Sequence, residues 1–368
     1  MNLDKKMIKN SIPQIRFKGF DVVWVENRIT DIVKVSAGGD VDKEKLKENG
    51  KYPVIANALT NKGIVGYYDD YKVKAPAVTV TGRGDVGYAV ARHENFTPIV
   101  RLLTLQSENI DVDYLENQIN SIRILNESTG VPQLTAPQLG NYKVYHPEID
   151  EQSAIGSLFR ILDDLLASYK DNLANYQSLK ATMLSKMFPK AGQIVPDLRL
   201  DGFEGEWERK SLSEVCTINS GRDYKHLKDG DIPVYGTGGY MLSVNEKLSD
   251  EDAIGIGRKG TIDKPYLLTA PFWTVDTLFY VTRKVGYDLN YLFLIFQQVR
   301  WKKFDESTGV PSLSKKTIEK VVSKFPSLPE QQAIGAYFSN LDNLIAAHQE
   351  KISQLETLKK KLLQDMFI

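Results

Sequence analysis

Two long stretches of the chain carry apolar residues at helical spacing. The stripe recurs in steps of three and four residues over 151–188, and the same steps return over 330–367. This spacing predicts two long amphipathic helices, each with an apolar face that forms a coiled-coil-like seam. The residues predicted to face a partner helix are Leu158, Leu162, Leu165, Tyr169, Tyr337, Leu341, Leu344 and His348.

Each predicted helix needs a partner for its apolar face. At a rise of about 1.5 Å per residue, such a helix would extend about 57 Å and outreach a domain of about 140 residues. We therefore expect the two helices to pair antiparallel about a two-fold axis, with Tyr169 and His348 meeting near it and the globular domains at opposite ends. The alternative is that each helix packs on its own domain. We interpret His348 as a packing residue rather than a switch or a ligand.

The remaining segments alternate between strand-like and helix-like patterns. Residues 74–82, 254–257 and 276–284 are rich in β-branched and apolar residues and are predicted strands. Residues 114–127 and 290–304 are predicted helices, and each leads into an ESTG tetrapeptide. The predicted fold class is α+β: two globular domains separated by two long antiparallel coiled-coil helices, with a pseudo-two-fold internal repeat.

Pairs of similar segments indicate that the chain is a tandem repeat. The octapeptide ESTGVPQL at 127–134 returns as ESTGVPSL at 306–313, and the two helical stretches share 15 of 38 aligned residues. Further pairs are PQIRFKGFDVVW (13–24) with PDLRLDGFEGEW (196–207), YPVIANA (52–58) with IPVYGTG (232–238), and TGRGDVG (81–87) with GRKGTID (257–263). We therefore expect two copies of one unit. The predicted boundaries are 1–150 and 190–329 for the globular domains and 151–189 and 330–368 for the helices.

Composition and charge exclude several classes of protein. Apolar residues make up 42% of the 368 residues, which is enough to fill ordinary cores. We expect no membrane-spanning helix, because no apolar run is long enough, and no secretory signal at the N-terminus. The single cysteine, Cys216, fits a reducing cytosol and is expected to be a buried small residue. The 47 basic and 47 acidic residues balance, so net charge neither supports nor excludes nucleic-acid binding.

A search for catalytic and metal-binding motifs finds none in a fitting context. The sequence has no phosphate-binding G-x-x-x-x-G-K-[ST] loop, no H-E-x-x-H and no paired cysteines for zinc. Residues 255–260 match G-x-G-x-x-G, but a dinucleotide site needs a helix to begin there. Pro265 and a strand-like run follow instead. We therefore expect no catalytic residues, no metal and no bound cofactor.

The two glycine-rich turns carry groups suited to an anion or a base edge. Such a turn brings backbone N–H groups close to a guanidinium, and arginine is common on both guanine and phosphate. We expect Arg83 and Arg258 to hold equivalent places in the two copies. The alternative is an ordinary hairpin turn with a solvated arginine. The candidate nucleic-acid contacts in these turns are Thr81, Gly82, Arg83, Gly84, Gly257, Arg258, Lys259, Gly260 and Thr261.

The repeated octapeptide has two interpretations. In one, Gly130 and Gly309 end the preceding helices by ordinary C-terminal capping. In the other, hydroxyls and free N–H groups face a phosphate backbone, with basic residues around the second copy. The candidate contacts are Ser128, Thr129, Ser307, Thr308 and Lys315.

The domain openings, the STGVP loops and the helix exits together resemble the specificity subunit of a type I restriction–modification system. The exits read HPEIDEQSAIGSLFRILDDLL and PSLPEQQAIGAYFSNLDNLI, so that proline and Glu-Gln-x-x-Ile precede a long helix twice in one chain. The resemblance covers nearly the whole chain. Its specificity lies in the combination, because each piece alone is a weak signal.

The resemblance implies a function beyond what the residues alone indicate. In this family each variable domain is a target recognition domain that reads one half of a split site in double-stranded DNA. The paired helices act as a spacer and help to bind two methyltransferase subunits, which carry S-adenosylmethionine, while separate restriction subunits cleave. We therefore expect a cytoplasmic, non-catalytic protein that needs these partners.

Two other functions are compatible with parts of the pattern. A fused DNA methyltransferase with degenerate motifs would bind S-adenosylmethionine itself, but no cofactor loop is present. A coiled-coil adaptor that assembles proteins without reading DNA would explain the helices. It would not explain two diverged domains that both carry glycine-rich basic turns.

Overall fold

The computed structural model describes residues 12–122, 124 and 132–368. The chain divides into two compact units, one formed by Met1–Asp171 with Gln349–Ile368 and the other by Asn172–His348. Each unit combines a mixed helix-and-sheet domain with a stretch of both long helices. The predicted α+β class is therefore confirmed. No helix in the described part of the chain is long and apolar enough to cross a membrane.

The described residues of the first unit form nine strands in three sheets. The strands are β1 (Val25–Arg28), β2 (Lys34–Ala37), β3 (Tyr52–Ile55), β4 (Ile64–Tyr68), β5 (Ala77–Val80), β6 (Ala89–Arg92), β7 (Thr97–Pro98), β8 (Leu103–Gln106) and β9 (Lys143–His146). The helices are α1 (Ile29–Ile32), α2 (Val112–Ser121) and α3 (Ala136–Gly140), with a 3₁₀ turn at Thr60–Gly63. The strand orders are β2-β8-β5-β6, β4-β3-β7 and β1-β9.

The second unit repeats this topology strand for strand. Its strands are β10 (Glu208–Ser211), β11 (Cys216–Ser220), β12 (Asp229–Gly236), β13 (Gly239–Val244), β14 (Ala253–Gly257), β15 (Tyr266–Leu268), β16 (Trp273–Thr274), β17 (Leu278–Arg283) and β18 (Val322–Phe325). Its short helices are α5 (Leu212–Val215), α6 (Leu289–Gln298) and α7 (Lys315–Glu319), with a 3₁₀ turn at Trp301–Phe304. The orders β11-β17-β14-β15, β13-β12-β16 and β10-β18 match the first unit, which confirms the predicted tandem repeat.

The predicted strands are confirmed and the predicted helices end earlier than expected. Strands β5 and β17 fall inside their predicted segments, and β14 covers 254–257 and begins one residue earlier. Every residue of β5 and β14 is buried. Residues 290–304 were predicted to form one helix, but helix α6 stops at Gln298. The reason is Trp301, whose buried indole N–H donates to the Phe296 carbonyl at 2.7 Å and folds the chain back.

The two long helices are α4 (Ile149–Lys186) and α8 (Leu328–Asp365), each of 38 residues. In the first unit Lys359 of α8 pairs with Asp163 of α4 at 2.5 Å. In the second unit Lys180 of α4 pairs with Asp342 of α8 at 2.6 Å, which is the same pair at repeat-equivalent positions. A second contact in each unit, Lys170 with Glu356 and Tyr176 with His348, shows that one helix ascends as the other descends. Within each unit the helix segments therefore run antiparallel, as predicted.

The predicted seam residues differ in their burial. Leu158, Leu162 and Tyr169 pack in the seam of the first unit, and Tyr337 and Leu341 are half-buried and buried in the second.

Leu165 is 39% exposed and Leu344 is 44% exposed, so neither belongs to the seam. Leu166 is buried in place of Leu165. Phe159, which is fully buried, lies seven residues before Leu166 and therefore on the same face of the helix. In the second unit His348 packs its ring edge-on against Tyr176 with the centroids 5.1 Å apart, in agreement with a packing role.

A buried ion pair fixes the start of each long helix to its domain. In the first unit Arg16 donates two hydrogen bonds of 2.6 and 2.7 Å to the buried Glu151 carboxylate. In the second unit Arg199 donates two bonds of 2.7 Å to Glu330. A buried carboxylate requires a bidentate partner of this kind. This contact explains why both domain openings carry arginine and both exits carry glutamate.

The glutamine that follows each of these glutamates connects the helix to two backbone segments. Gln152 accepts a bond from the Asp111 backbone N–H at 3.1 Å and donates to the Pro147 carbonyl at 2.9 Å. Gln331 makes the equivalent bonds at 3.2 and 2.9 Å. The Glu-Gln pair of the exit motif is therefore part of the fold of both units.

A glycine in each long helix permits close contact with the domain. A Cβ atom on Gly156 would lie 2.5 Å from Asp111 Oδ1 and 2.8 Å from the Tyr114 backbone nitrogen. On Gly335 it would lie 2.6 Å from Asp288 Oδ1. Real Cβ atoms do not approach backbone this closely, so glycine is required at both positions.

Candidate nucleic-acid interface

The glycine-rich turn of each domain pairs with the last residues of the octapeptide. In the first unit the Gly84 N–H donates to the Pro132 carbonyl at 3.1 Å, and the Leu134 N–H donates to the Gly82 carbonyl at 2.9 Å. Arg83 forms an antiparallel bridge with Gln133. The proline–leucine end of the octapeptide is thus a strand-like partner that holds the turn in place.

The second unit repeats these bonds and corrects one prediction. The Gly260 N–H donates to the Pro311 carbonyl at 2.8 Å, and the Leu313 N–H donates to the Arg258 carbonyl at 3.0 Å. Lys259 takes the bridging place that Arg83 has in the first unit. The expectation that Arg83 and Arg258 are equivalent is therefore wrong, because backbone pairing sets the register and the shared residue type does not.

The predicted contacts in the turns differ in their accessibility. In the first turn Arg83 and Gly84 are exposed, whereas Thr81 and Gly82 are buried. The Thr81 hydroxyl accepts a bond from the Tyr88 N–H at 2.9 Å and so stabilises the turn itself. In the second turn Arg258, Lys259 and Gly260 are exposed, Thr261 is half-buried and Gly257 is buried.

The second octapeptide forms a closed loop rather than the end of a helix. The Asp305 carboxylate accepts the backbone N–H groups of Ser312 at 2.9 Å and Ser307 at 3.0 Å, and these bonds lower its pKa. Thr308 and Gly309 are exposed at the tip. The alternative in which Gly309 caps the preceding helix is wrong, since that helix ends at Gln298 and the 3₁₀ turn at Phe304. In the first copy Ser128, Thr129 and Gly130 lie outside the described residues.

A shallow cleft of about 340 Å³ brings the second turn and the second octapeptide together. The cleft is lined by Ser220, Arg258, Lys259, Phe279, Glu306, Ser312, Leu313, Ser314 and Lys315. The Arg258 guanidinium lies 5.9 Å from the centre of the Phe279 ring, which directs it by a cation–π contact. Three of the predicted cationic contacts therefore share one surface.

Acidic groups beside the cleft already have partners. The Glu306 carboxylate accepts the Ser314 hydroxyl at 3.0 Å and also the Thr317 hydroxyl. Asp263 pairs with Lys302 at 2.8 Å, and this hydrogen-bonded ion pair lowers the pKa of Asp263. The cleft lining carries three cations, Arg258, Lys259 and Lys315, against one carboxylate, Glu306, and this excess of positive charge suits a polyanion.

Two residues that the sequence pattern did not predict lie at the corner of the first domain, which is the surface where the turn at 81–84 meets residues 57 and 100–101. Asn57 accepts the Gly82 N–H at 2.7 Å and donates to the Val100 carbonyl at 2.5 Å, so it joins three loops. Arg101 is exposed beside Gly82 and lies in the left-handed region with φ 61°, as does Val100 with φ 51°. Strained non-glycine backbone of this kind often marks a functional surface. The alignment of YPVIANA with IPVYGTG was a signal for Asn57, but nothing in the sequence singled out Arg101.

Comparisons with known proteins agree with this arrangement of two repeated domains. The family model of the type I restriction modification DNA specificity domain matches residues 22–175 and again 204–357. A type I specificity subunit of Mycoplasma pneumoniae is 22% identical over 354 residues, covering 92% of this chain and 94% of that protein. The specificity subunit of the MjaVIII type I restriction enzyme of Methanocaldococcus jannaschii is 22% identical over 402 residues, covering 92% and 91%.

A solved structure shares the fold over nearly the whole length. The S subunit of a type I restriction–modification system from M. genitalium superposes with a TM-score of 0.77 at 19% sequence identity, covering 97% of this chain and 99% of that one.

Two copies of one scaffold, each presenting a basic corner, define a duplicated recognition protein. The chain belongs to the type I restriction modification DNA specificity domain family and carries two copies of that domain. It is a sequence-specificity subunit, the non-catalytic component of a type I complex, rather than a coiled-coil adaptor or a fused methyltransferase.

Proposed function

We propose that each domain reads one half of a split site in double-stranded DNA and that the long helices set the distance between the halves. The observation that carries this proposal is the repeat itself. The scaffold recurs strand for strand, while the exposed residues of the corners differ. A protein that reads two different half-sites needs one scaffold twice and two different reading surfaces.

Cationic side chains at the corners provide the attraction to DNA. Arg258, Lys259 and Lys315 in the second domain, with Arg83 and Arg101 in the first, are exposed cations on the outer loops. Neutralising phosphates with such residues gives most of the affinity, and arginine can also pair with guanine. The predicted contacts in the first octapeptide, Ser128 and Thr129, belong to the same proposal.

Exposed leucines on the long helices provide a docking surface for two methyltransferase subunits. In the first unit Leu165 and Leu358 both lie within two residues of the Asp163–Lys359 ion pair. In the second unit Leu344 and Leu179 stand in the same relation to the Asp342–Lys180 pair.

Exposed leucines at repeat-equivalent positions give the two units equivalent apolar surfaces, one for each partner subunit. In this proposal S-adenosylmethionine is bound by those partners, restriction subunits join through the complex, and the protein works in the cytoplasm.

The direct test uses the base preference of an assembled complex. The chain would be co-expressed with its cognate methyltransferase subunit, and methylated adenines mapped across the host genome. We expect two short blocks of fixed sequence around a fixed gap. Substituting Arg258→Ala should relax or weaken only the block read by the second domain, by about 1–3 kcal/mol for a lost base contact.

A matched control is Arg209→Ala, because Arg209 is an exposed arginine of the same unit on β10, away from the cleft. It should leave both blocks unchanged. An assembled complex that methylates without a split motif would overturn the proposed function.

A further inference from the structure

The β12–β13 hairpin of the second domain differs from the rest of the surface in its chemistry. Residues 232–245, the part of the hairpin that follows Asp229 and Asp231 of β12, read IPVYGTGGYMLSVN and contain no charged side chain, although 26% of the whole chain is charged. The tip contains three glycines at positions 236, 238 and 239, and Gly239 has φ +108°. A narrow, uncharged ribbon of this kind can approach another molecule closely.

The hairpin lies beside the basic turn at residues 257–261. The Val275 N–H donates to the Tyr235 carbonyl at 3.0 Å, and the Arg258 N–H donates to the Thr277 carbonyl at 2.8 Å. A Cβ atom on Gly260 would lie 3.9 Å from the Thr237 hydroxyl. The hairpin tip, the short 275–277 segment and the basic turn are therefore neighbours.

Two large side chains near the tip face solvent. Tyr240 is 62% exposed and Met241 is 49% exposed. The Tyr240 ring packs edge-on against Tyr235 with centroids 6.3 Å apart, and its hydroxyl lies 3.2 Å from the Ser243 hydroxyl. Tyr240 is thus oriented by its neighbours while most of its surface is available for contact.

The tyrosine behind Tyr240 is itself fixed. Tyr235 packs against Tyr266 with centroids 6.2 Å apart, and the Tyr266 hydroxyl donates to the Gly236 carbonyl at 2.5 Å. The base of the hairpin is therefore rigid, and a rigid aromatic anchor makes contact at a low entropic cost.

The first domain has no equivalent of this tip. Its strand register places Ile64 and Val65 where the second domain has Tyr240 and Met241. The preceding residues form a 3₁₀ turn in which Asn61 and Lys62 adopt left-handed conformations. The aromatic, uncharged tip is consequently a property of one domain and not of the shared scaffold.

We infer that the β12–β13 hairpin enters the major groove of double-stranded DNA and that Tyr240 and Met241 read bases of the half-site assigned to the second domain. The major groove accepts a two-stranded ribbon, and apolar side chains there contact the thymine methyl group. Lys259, on the adjoining turn, contacts the flanking phosphate backbone beside the base contact proposed for Arg258. The inference rests on the proposed function and identifies the specificity-determining residues of one half-site.

The experiment compares methylation motifs of complexes that carry Tyr240→Ala, Met241→Ala or the unaltered chain. We expect each substitution to lower discrimination about 10-fold at one or two base positions in the second half-site, the effect of a lost base contact. The first half-site and the gap should not change. Tyr240→Phe should retain the preference, because the ring remains.

Val285→Ala is the matched control, since Val285 is 97% exposed and follows the end of β17 opposite the basic turn. It should change neither half-site. Complexes in which Tyr240→Ala and Met241→Ala both keep the unaltered motif, while the unaltered chain gives a split motif, would overturn the inference and leave the proposed function standing. Absence of any split motif with the unaltered chain would overturn both.

Discussion

At the junction between domain and helix, the two units repeat their contacts atom for atom. The Arg16–Glu151 pair of the first unit returns as Arg199–Glu330 in the second, with bonds of 2.6–2.7 Å in both. At the corner of each domain, only the backbone bonds return. The turn pairs with the octapeptide in the same register, yet the side chains that it presents are different.

The corner shows where the copies were free to diverge. Gly82 of the first turn stands where the second has Arg258, and Ile64 stands where the second has Tyr240. Backbone pairing does not determine Arg258, Ile64 or Tyr240, whereas Gly82 is required because a Cβ atom there would lie 2.9 Å from the Arg101 carbonyl oxygen. The comparison teaches that buried polar contacts hold the scaffold constant, while exposed loops on it can change what they contact.

The largest expected effect comes from breaking the repeated junction. Glu330→Ala would leave the Arg199 guanidinium without its buried carboxylate, which should lower the free energy of unfolding by about 3–5 kcal/mol. Glu151→Ala should have a similar effect in the first unit. Urea unfolding followed by circular dichroism would measure both. Asp250→Ala, which removes an exposed ion pair with Lys247, is the control and should change little.

A second prediction concerns the buried Glu116 carboxyl of the first unit, which has no carboxyl equivalent in the second. Burial on α2 raises the pKa of Glu116 from 4.5 to about 7, with the carboxylates of Asp163 and Asp113 opposing its charge and Lys359 favouring it. The equivalent residue of the second unit is Phe293. A raised folded-state pKa means that the unfolded chain ionises first, so stability falls as pH rises from about 4.5 to about 7.

Glu116→Gln should abolish this contribution. The variant should equal the original chain near pH 4 and exceed it by about 2–3 kcal/mol above pH 7. The measurement is the difference in unfolding free energy between the two proteins as a function of pH. A difference that does not vary with pH would contradict the burial of this carboxyl.

A third prediction tests the close approach at the helix glycines. Gly156→Ala and Gly335→Ala should each lower stability by about 1–3 kcal/mol, because the new methyl group overlaps atoms of the adjoining domain. In an ordinary helix this change would instead stabilise by about 1 kcal/mol. Thermal unfolding would show whether the substitution lowers or raises the stability of the protein. Ser157→Ala, at an exposed position of α4, is the control.

The smallest expected effect concerns the two ion pairs between the long helices. Double-mutant cycles on Asp163–Lys359 and on Asp342–Lys180 should give coupling energies of less than about 1 kcal/mol, since both pairs are partly exposed. The two values should also agree, because the pairs are repeat-equivalent. Couplings that differ by several-fold would indicate that the units pack their helices differently.

The sequence was sufficient to predict the repeat, the long helices and the central strands, because these depend on apolar periodicity. It placed Leu165 and Leu344 in the seam, since Leu165 and Leu166 both continue an apolar spacing of three or four residues from Leu162 and spacing alone does not show which of them is buried. The candidate site was predicted as two turns and an octapeptide. Their pairing, and the contribution of Arg101, depend on contacts between segments far apart in the chain, which periodicity does not encode.

The central claim is that each domain reads one half-site on a shared scaffold. The structure provides equivalent positions at which one domain can be replaced by the other. Val25 pairs with His146 in the first domain, and Glu208 pairs with Phe325 at the same place in the second. Replacing residues 208–325 with a copy of 25–146 would give a chain with the first domain twice.

The most direct measurement is the methylation motif of that chain in complex with its methyltransferase partner, mapped beside that of the unaltered protein. Two identical reading domains on an antiparallel pair of helices should recognise an inverted repeat: one block of the original motif, the gap, and the same block on the opposite strand. A motif that keeps both original blocks would contradict the assignment of one half-site to each domain.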